Sequence, residues 1–186
     1  MRLIKMIILL ISIGLLSTSF LFFKSKARDY EDMAIEIRAQ VGKNLSKKHK
    51  MKLIGLSAGL MGSVYILGFS FEIFHPLDRN EARRLIVDCV EELLTAVNNN
   101  KEIRPFLKNY PFTTKNVHIL IFSSDAKGRE VIDPYISVVC ISKSEKINFV
   151  IKELNKPKFH KKQYWEPYSE ALNIVRGEVA RNKLAP

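Results

Sequence analysis

Apolar residues follow three patterns along the chain, and each pattern predicts a different kind of element. The first is an uninterrupted apolar run of 18 residues, from Met6 to Phe23, that contains no charged residue. A helix of that length spans about 27 Å, close to the thickness of the hydrocarbon layer of a bilayer. Because the run has no polar face to turn toward water, it predicts a transmembrane anchor rather than a core helix of a small domain.

A cleaved signal peptide is the competing interpretation of this apolar run. The small residues Ser17, Thr18 and Ser19 offer a cleavage site. Cutting there would leave the apolar segment from Phe20 to Phe23 at the new N-terminus. We therefore favour a single-pass membrane protein, with an exported and processed protein as the alternative.

Positive charge is concentrated next to the apolar run. The net charge is +11, and residues 1–52 carry 11 Lys/Arg against 4 Asp/Glu, whereas residues 53–186 carry 19 against 15. Basic residues beside an apolar segment favour anionic headgroups and bias the direction of insertion. More of them follow the run than precede it, which favours a cytoplasmic domain, whereas a signal peptide would place the domain outside. This distribution argues against a nucleic-acid partner, because such binders more often carry their charge on the folded domain.

Residues 25–62 combine a helical pattern, a basic cluster and a Gly/Ser-rich stretch. Apolar residues recur at helical spacing from 29 to 41, and Gly42 is expected to end this short amphipathic helix. The basic cluster 47–52 follows it. From there to about residue 62 we expect an irregular connector.

The uncharged stretch 53–71 allows a second membrane span as an alternative. Gly55 and Gly59 are four residues apart, a spacing that suits close helix packing in lipid. The second half of the stretch, however, alternates apolar and small or polar residues from 64 to 74. A period of two indicates a strand with one buried face, and we adopt that interpretation.

The strongest helical stripe lies between residues 79 and 97. Asp78 followed by Glu81 resembles a capping box at its start. An unbroken stripe at three-four spacing is typical of a helix face buried in a core. Its members are Ala82, Leu85, Ile86, Cys89, Val90, Leu93, Leu94 and Val97.

Three apolar stretches with short turns between them follow, at 116–122, around 136–141 and at 147–151. Short connections indicate an antiparallel meander. A closing helix is expected to begin at Glu166–Pro167, since proline is well tolerated in the first turn. The predicted fold class is α+β: a transmembrane helix, then a two-layer domain over 63–186 made of a strand, a helix, a three-strand meander and a helix.

Side chains that could take part in catalysis or metal binding are scattered along the sequence rather than grouped in motifs. The chain has no Gly-rich phosphate loop, no Gly-x-Ser-x-Gly, no His-Glu-x-x-His and no Cys-x-x-Cys. The carboxylate pairs Asp88/Glu92 and Glu166/Glu170 lie off the apolar stripes, so we expect a solvated face for both. Nothing predicts catalytic, metal-binding or cofactor-binding residues, or a cofactor, and an enzyme with an unrecognised site stays an alternative only.

The two cysteines, Cys89 and Cys140, both lie among apolar residues. We expect them to be small core side chains. A disulfide between them remains open for a domain that faces an oxidising compartment.

The best candidate surface combines cations with aromatic rings in residues 156–168. Such a mixture suits phosphate groups or the headgroup layer of anionic lipid. The plainer interpretation is a solvated basic linker whose single tryptophan packs on the core. The candidate contacts are Lys156, Lys158, Lys161, Lys162 and Trp165.

Three short sequence segments resemble segments in a group of uncharacterised bacterial envelope proteins of unknown function. They are Glu-Ala-Arg-Arg-Leu-Ile-Val at 81–87, Ile-Arg-Pro-Phe-Leu at 103–107 and Tyr-Pro-Phe-Thr at 110–113. The resemblance covers roughly residues 64–172 and implies a bacterial envelope setting, without an activity or site residues. Together with the anchor, it favours a non-enzymatic domain that binds or assembles with another envelope protein.

Overall fold

The computed structural model describes residues 30–153 and 161–184, without the side chains of 181–184. The predicted span from Met6 to Phe23 lies outside these ranges, as do Lys156 and Lys158. Within them, no helix combines the length and the apolar character that a membrane crossing requires. The described chain is an α+β fold of three helices and one six-stranded mixed sheet.

The elements follow one another in a simple order. Helix α1 covers 30–48, and it leads into the hairpin of β1 (Lys52–Leu60) and β2 (Val64–Ile73). Helix α2 (Arg79–Asn99) connects β2 to the remaining strands. These are β3 (Val117–Ser123), β4 (Val138–Ser142), β5 (Lys146–Lys152) and β6 (Lys161–Pro167), and α3 (Tyr168–Leu184) closes the fold.

The spatial order of the strands is the same as their order in the sequence, β1 to β6. Every neighbouring pair is antiparallel except β2 and β3, which run parallel. A parallel pair needs a crossover connection, and α2 supplies it. The predicted helix and the antiparallel meander that follows it are therefore confirmed.

One face of the sheet and the inner sides of all three helices form a single core. Alternate residues of β2 and β3, such as Phe69, Phe71 and Ile119, are fully buried on this face. Helix α2 contributes the predicted stripe, and α1 contributes Ala34 and Leu45. The helices thus cover one face of the sheet and make a two-layer domain.

Helix α1 continues past Gly42, so the predicted stop there is wrong. A side chain at this position would lie 3.3 Å from both Leu53 and Phe69. The glycine therefore permits a close approach between helix and sheet instead of ending the helix. The helix ends at residue 48, followed by Lys50 at a φ of 52°.

The expected connector before residue 62 is wrong as well, because Lys52–Leu60 is strand β1. Residues 53–71 accordingly form two strands of a hairpin rather than one long helix. Glycine and serine alternate with Leu56, Ala58 and Leu60, which is the period of a strand. β1 forms one edge of the described sheet and carries no charge after Lys52.

The start of α2 has half of the predicted capping box. Asp78 Oδ1 accepts a hydrogen bond from the backbone N–H of Glu81 at 2.8 Å. The Glu81 carboxylate does not complete the box by accepting from the backbone N–H of Asp78, and it lies instead 2.9 Å from His75 Nε2. The predicted turn around Pro105 is a short 3-10 helix, Arg104–Phe106.

Cys89 and Cys140 lie on opposite sides of the sheet. Cys89 is buried on α2 in the core. Cys140 alternates in β4 with the core residues Val139 and Ile141, so it points to the other face. The sheet separates the two thiols, which excludes a disulfide between them in this fold.

Candidate functional site

The second face of the sheet, here called the uncovered face, has none of the three described helices against it. Its side chains alternate with those of the core along each strand. Its centre is an apolar patch across β3, β4 and β5, in a register that aligns Leu120 with Cys140 and Phe122 with Val138. Val138 in turn pairs with Val150. Polar residues border this patch, among them His118, Ser142 and Asn148.

An antiparallel sheet with one solvated face normally places polar residues on it. Here the patch includes Phe122, which is 36% exposed, and the 58% exposed ring of Trp165 lies on the same face in strand β6, opposite Asn148. Contiguous apolar patches on a soluble surface mark sites of interaction. The uncovered face is therefore the candidate functional site.

A groove of about 350 Å³ lies at one end of the uncovered face. Ile54, Phe122 and Val138 supply its apolar side chains. Its charged groups are Glu72, Lys161 and an ion pair of Lys152 with Glu130. An apolar floor with charges of both signs suits a peptide segment better than a purely anionic or purely cationic ligand.

The predicted basic surface is divided by strand β6. Lys161–Pro167 is an edge strand paired with β5, so the predicted linker is wrong for these residues. Lys161 lines the groove, while its neighbour Lys162 points to the other side and binds Asp133 at 3.2 Å. That hydrogen bond raises the pKa of Lys162.

Trp165 is on the uncovered face opposite Asn148 and does not pack on the core. The plainer interpretation, in which this ring fills the core, is therefore wrong. An aromatic ring left in water at a strand edge is a typical anchor for a protein partner. Of the three predicted site residues that the structure describes, Lys161 and Trp165 share one face and Lys162 is on the other.

Glu166 is 4% exposed, so the solvated face predicted for it is wrong. Its carboxylate accepts two hydrogen bonds from Arg83, at 2.6 and 2.8 Å, and a third from Arg79 at 3.1 Å. Burial alone would raise the pKa of Glu166, but the bonds and charge of both arginines outweigh it and lower the pKa. The group ties β6 to α2 and is structural.

Asp88 and Glu92 are partly exposed, with 32% of each side chain accessible, and both have partners. Lys48 Nζ lies 2.7 Å from a carboxylate oxygen of each, and His49 Nε2 lies 2.6 Å from Asp88. Burial would raise the pKa of Asp88, but the hydrogen bonds from His49 and Lys48 lower it. The basic cluster after α1 thus joins that helix to α2.

The remaining titratable groups of the described ranges show no arrangement for catalysis. Burial raises the pKa of both Cys89 and Cys140, which disfavours the reactive thiolate. His118 Nδ1 lies 2.7 Å from Ser142 Oγ, and burial lowers its pKa. In the same ranges no three His, Cys, Asp or Glu residues are placed to hold a metal ion.

The sequence did not lead to a prediction of the uncovered face, because the predicted surface was defined by its cations and aromatic rings. The signal was present in Val117–Phe122, where apolar residues occupy both phases of a period-two pattern. Leu120 and Phe122 fall in the phase that a one-sided strand gives to polar residues. A strand with two apolar phases predicts a second contact surface.

Comparison with known proteins gives no relative from which a function could be transferred. No family model matches the chain, and no curated protein or solved structure matches it. The resemblance to bacterial envelope proteins stays a prediction.

Proposed function

We propose that this chain is a membrane-anchored, non-enzymatic domain that binds a partner protein at the cell envelope through the uncovered face. The proposal joins two parts of the molecule. The apolar run from Met6 to Phe23 supplies the anchor, and the sheet supplies the binding surface. The single observation that carries it is a helix-free sheet face with an apolar patch from Leu120 and Phe122 to Val138 and Val150, next to the exposed Trp165.

Burying this face offers a clear free-energy gain. Removing apolar surface from water contributes about 25 cal/mol per Å². Phe122 and Trp165 are the large exposed rings on the face, and aromatic residues of this kind carry most of the binding energy in protein interfaces. The charged groups at the groove, Lys161 and Glu72 among them, then fix the register of the partner.

A photoreactive phenylalanine analogue at position 122 or 165 of the full chain tests the binding surface in intact cells. We expect an adduct of one defined mass from both positions, because a bound partner would cover them. The matched control is the same analogue at Ile35, which is exposed on the outer side of α1 in the helix layer. The measurement is the mass and yield of each adduct after irradiation.

Phe122→Glu should lower the adduct yield at position 165 by about 30-fold, if Phe122 contributes about 2 kcal/mol to binding. Equal yields at positions 35 and 122, or no adduct from the sheet positions, would contradict the proposed surface. The anchor is tested separately by the mass of the mature N-terminus. A chain that starts at Phe20 would replace the anchor with an exported form.

A further inference from the structure

The turn between β1 and β2 lies at the end of the domain that the predicted anchor approaches. Tyr30 is the first described residue, it is 5% exposed, and its ring stacks on Phe106 at 5.3 Å between centroids. The backbone of Gly62, in the β1–β2 turn, is close enough to the Tyr30 hydroxyl to oppose the rise of its pKa that burial causes. The chain therefore enters the fold beside this turn. We call the turn 61–63 with the segment 100–116 the hairpin-tip end.

The distance between the anchor and this end is short. Six residues, 24–29, separate Phe23 from Tyr30. Even fully extended, six residues reach only about 20 Å. An anchor that ends at Phe23 would hold the hairpin-tip end within that distance of the membrane surface.

The chemistry of the hairpin-tip end matches a headgroup layer. Met61 is 82% exposed at the tip, and Tyr110 is 52% exposed. The guanidinium of Arg104 lies 4.5 Å from the centre of the Tyr110 ring, and Lys108 lies 5.8 Å from that of Tyr65. Rings and alkyl stems beside cations are what the interface between hydrocarbon and water accommodates.

The loops at this end carry more basic than acidic residues. The segment 100–116 and the neighbouring turn 143–145 carry five basic residues and two acidic ones, and Glu31 and Asp32 at the start of α1 add two more acids. One pair, Lys115 with Glu145, is joined at 3.1 Å. Lys101, Lys108 and Lys143 are exposed and available to anionic headgroups, and the half-buried Arg104 donates one N–H to the backbone carbonyl of Asn98.

Lys161 and Lys162 of the predicted basic surface lie at the other end of the sheet. Lys161 pairs with Lys152 at the far end of β5, whereas Pro167 pairs with Lys146 near the hairpin-tip end. A seven-residue strand is about 23 Å long. Lys161 and the groove are therefore separated from Tyr30 by about the length of the sheet.

We propose that the hairpin-tip end of the domain contacts an anionic lipid surface, with Met61 and Tyr110 at headgroup depth. This inference rests on the anchor in the proposed function. It assigns lipid contact to Lys101, Arg104 and Lys108 rather than to Lys161 and Lys162. It also directs the groove of the uncovered face away from the bilayer, toward a partner.

Fluorescence quenching in vesicles tests the orientation of the full-length chain. A fluorophore is attached to Met61→Cys or, as the control, to Lys127→Cys in the exposed turn at the opposite end. Both variants carry Cys140→Ser, and Cys89 is buried. In vesicles with nitroxide-labelled headgroups we expect the label at 61 to lose most of its fluorescence and the label at 127 to keep it.

Lipid composition and a charge reversal sharpen the test. Lys101→Glu with Lys108→Glu should reduce the quenching at 61 severalfold in vesicles containing phosphatidylserine, and change it little in phosphatidylcholine alone. Equal quenching at 61 and 127, or none at 61 in vesicles that the protein floats with, would overturn the orientation alone. A chain that does not float with vesicles would overturn the anchor and, with it, this inference.

Discussion

Gly68→Ala is expected to lower the free energy of unfolding by about 3 kcal/mol or more, at the upper end of the cost of overpacking. Gly68 is buried in β2, paired with His118 of the parallel neighbour β3. A methyl group at this position would overlap the backbone carbonyl of His118 and lie 2.8 Å from Ser57 Oγ. Because the obstacle is backbone, no rotamer change relieves it, and β2 and β3 must separate locally.

Gly177→Ala is the matched control. This glycine is within helix α3, and an added methyl group would meet nothing within 4 Å. Alanine should stabilise the helix by about 1 kcal/mol, since glycine is a poor helix former. The measurement is denaturant unfolding of the full chain in detergent, followed by circular dichroism. A Gly68→Ala protein as stable as the unsubstituted chain would contradict the close β2–β3 approach.

Glu166→Gln is expected to destabilise the domain by about 3 kcal/mol, the typical lower figure for breaking a buried ion pair. The substitution leaves the buried Arg83 without its bidentate partner and removes the bond to Arg79. Glu170→Gln, an exposed change on α3, should alter stability by less than about 0.5 kcal/mol. Equal unfolding midpoints for the two variants would show that the Glu166 pair contributes nothing.

The same pair predicts how stability depends on pH. The pKa of Glu166 is lower in the folded chain than its ordinary value of 4.5. Its contribution is therefore fully present above pH 4.5 and is lost as the pH falls through the folded-state value. Unfolding midpoints measured between neutral pH and pH 3 should converge for the unsubstituted chain and Glu166→Gln as acid is added.

A double replacement distinguishes two causes of the lost stability, the unpaired charge of Arg83 and the lost packing around residue 166. Arg83→Met with Glu166→Leu removes both charges and keeps apolar volume between α2 and β6. Apolar replacements of buried ion pairs are often neutral or stabilising. We expect the double variant to recover most of the stability that Glu166→Gln loses. If it is as unstable as the single variant, the loss comes from packing rather than from the unpaired charge.

The sequence predicted the central part of the fold because local pattern and final burial agree there. The α2 stripe and the period-two runs of β2, β3 and β5 are each buried on the side that their spacing indicates. Strand β1 was not predicted because Gly55, Ser57 and Gly59 are residue types typical of a connector, although they alternate with Leu56, Ala58 and Leu60. Strand β6 was not predicted because an edge strand tolerates exposed residues such as Lys161, Lys162 and Trp165, and its sequence therefore resembles a linker.

The candidate site was less accessible to sequence reasoning because it depends on contacts between distant residues. Glu166 lies 83 residues from Arg83 along the chain, and only the pairing of β6 with β5 brings it against α2. The alignment of Phe122, Val138 and Val150 across three strands requires the register, which residue types alone do not fix. The residue types pointed to a basic surface, whereas the candidate site in the structure is an apolar patch on the uncovered face.

Among the described residues β1 has no strand paired on its outer side, and this has a consequence for handling the protein. From Leu53 to Leu60 this strand has no charge and no proline. Its outward backbone groups are a template onto which another chain can add, and only the irregularity at Ile54 and one near Leu60 interrupt it. Overproduced material is thus prone to ordered aggregation with cross-β spacing. A lysine in place of the exposed Ala58 would act as the gatekeeper that the strand lacks.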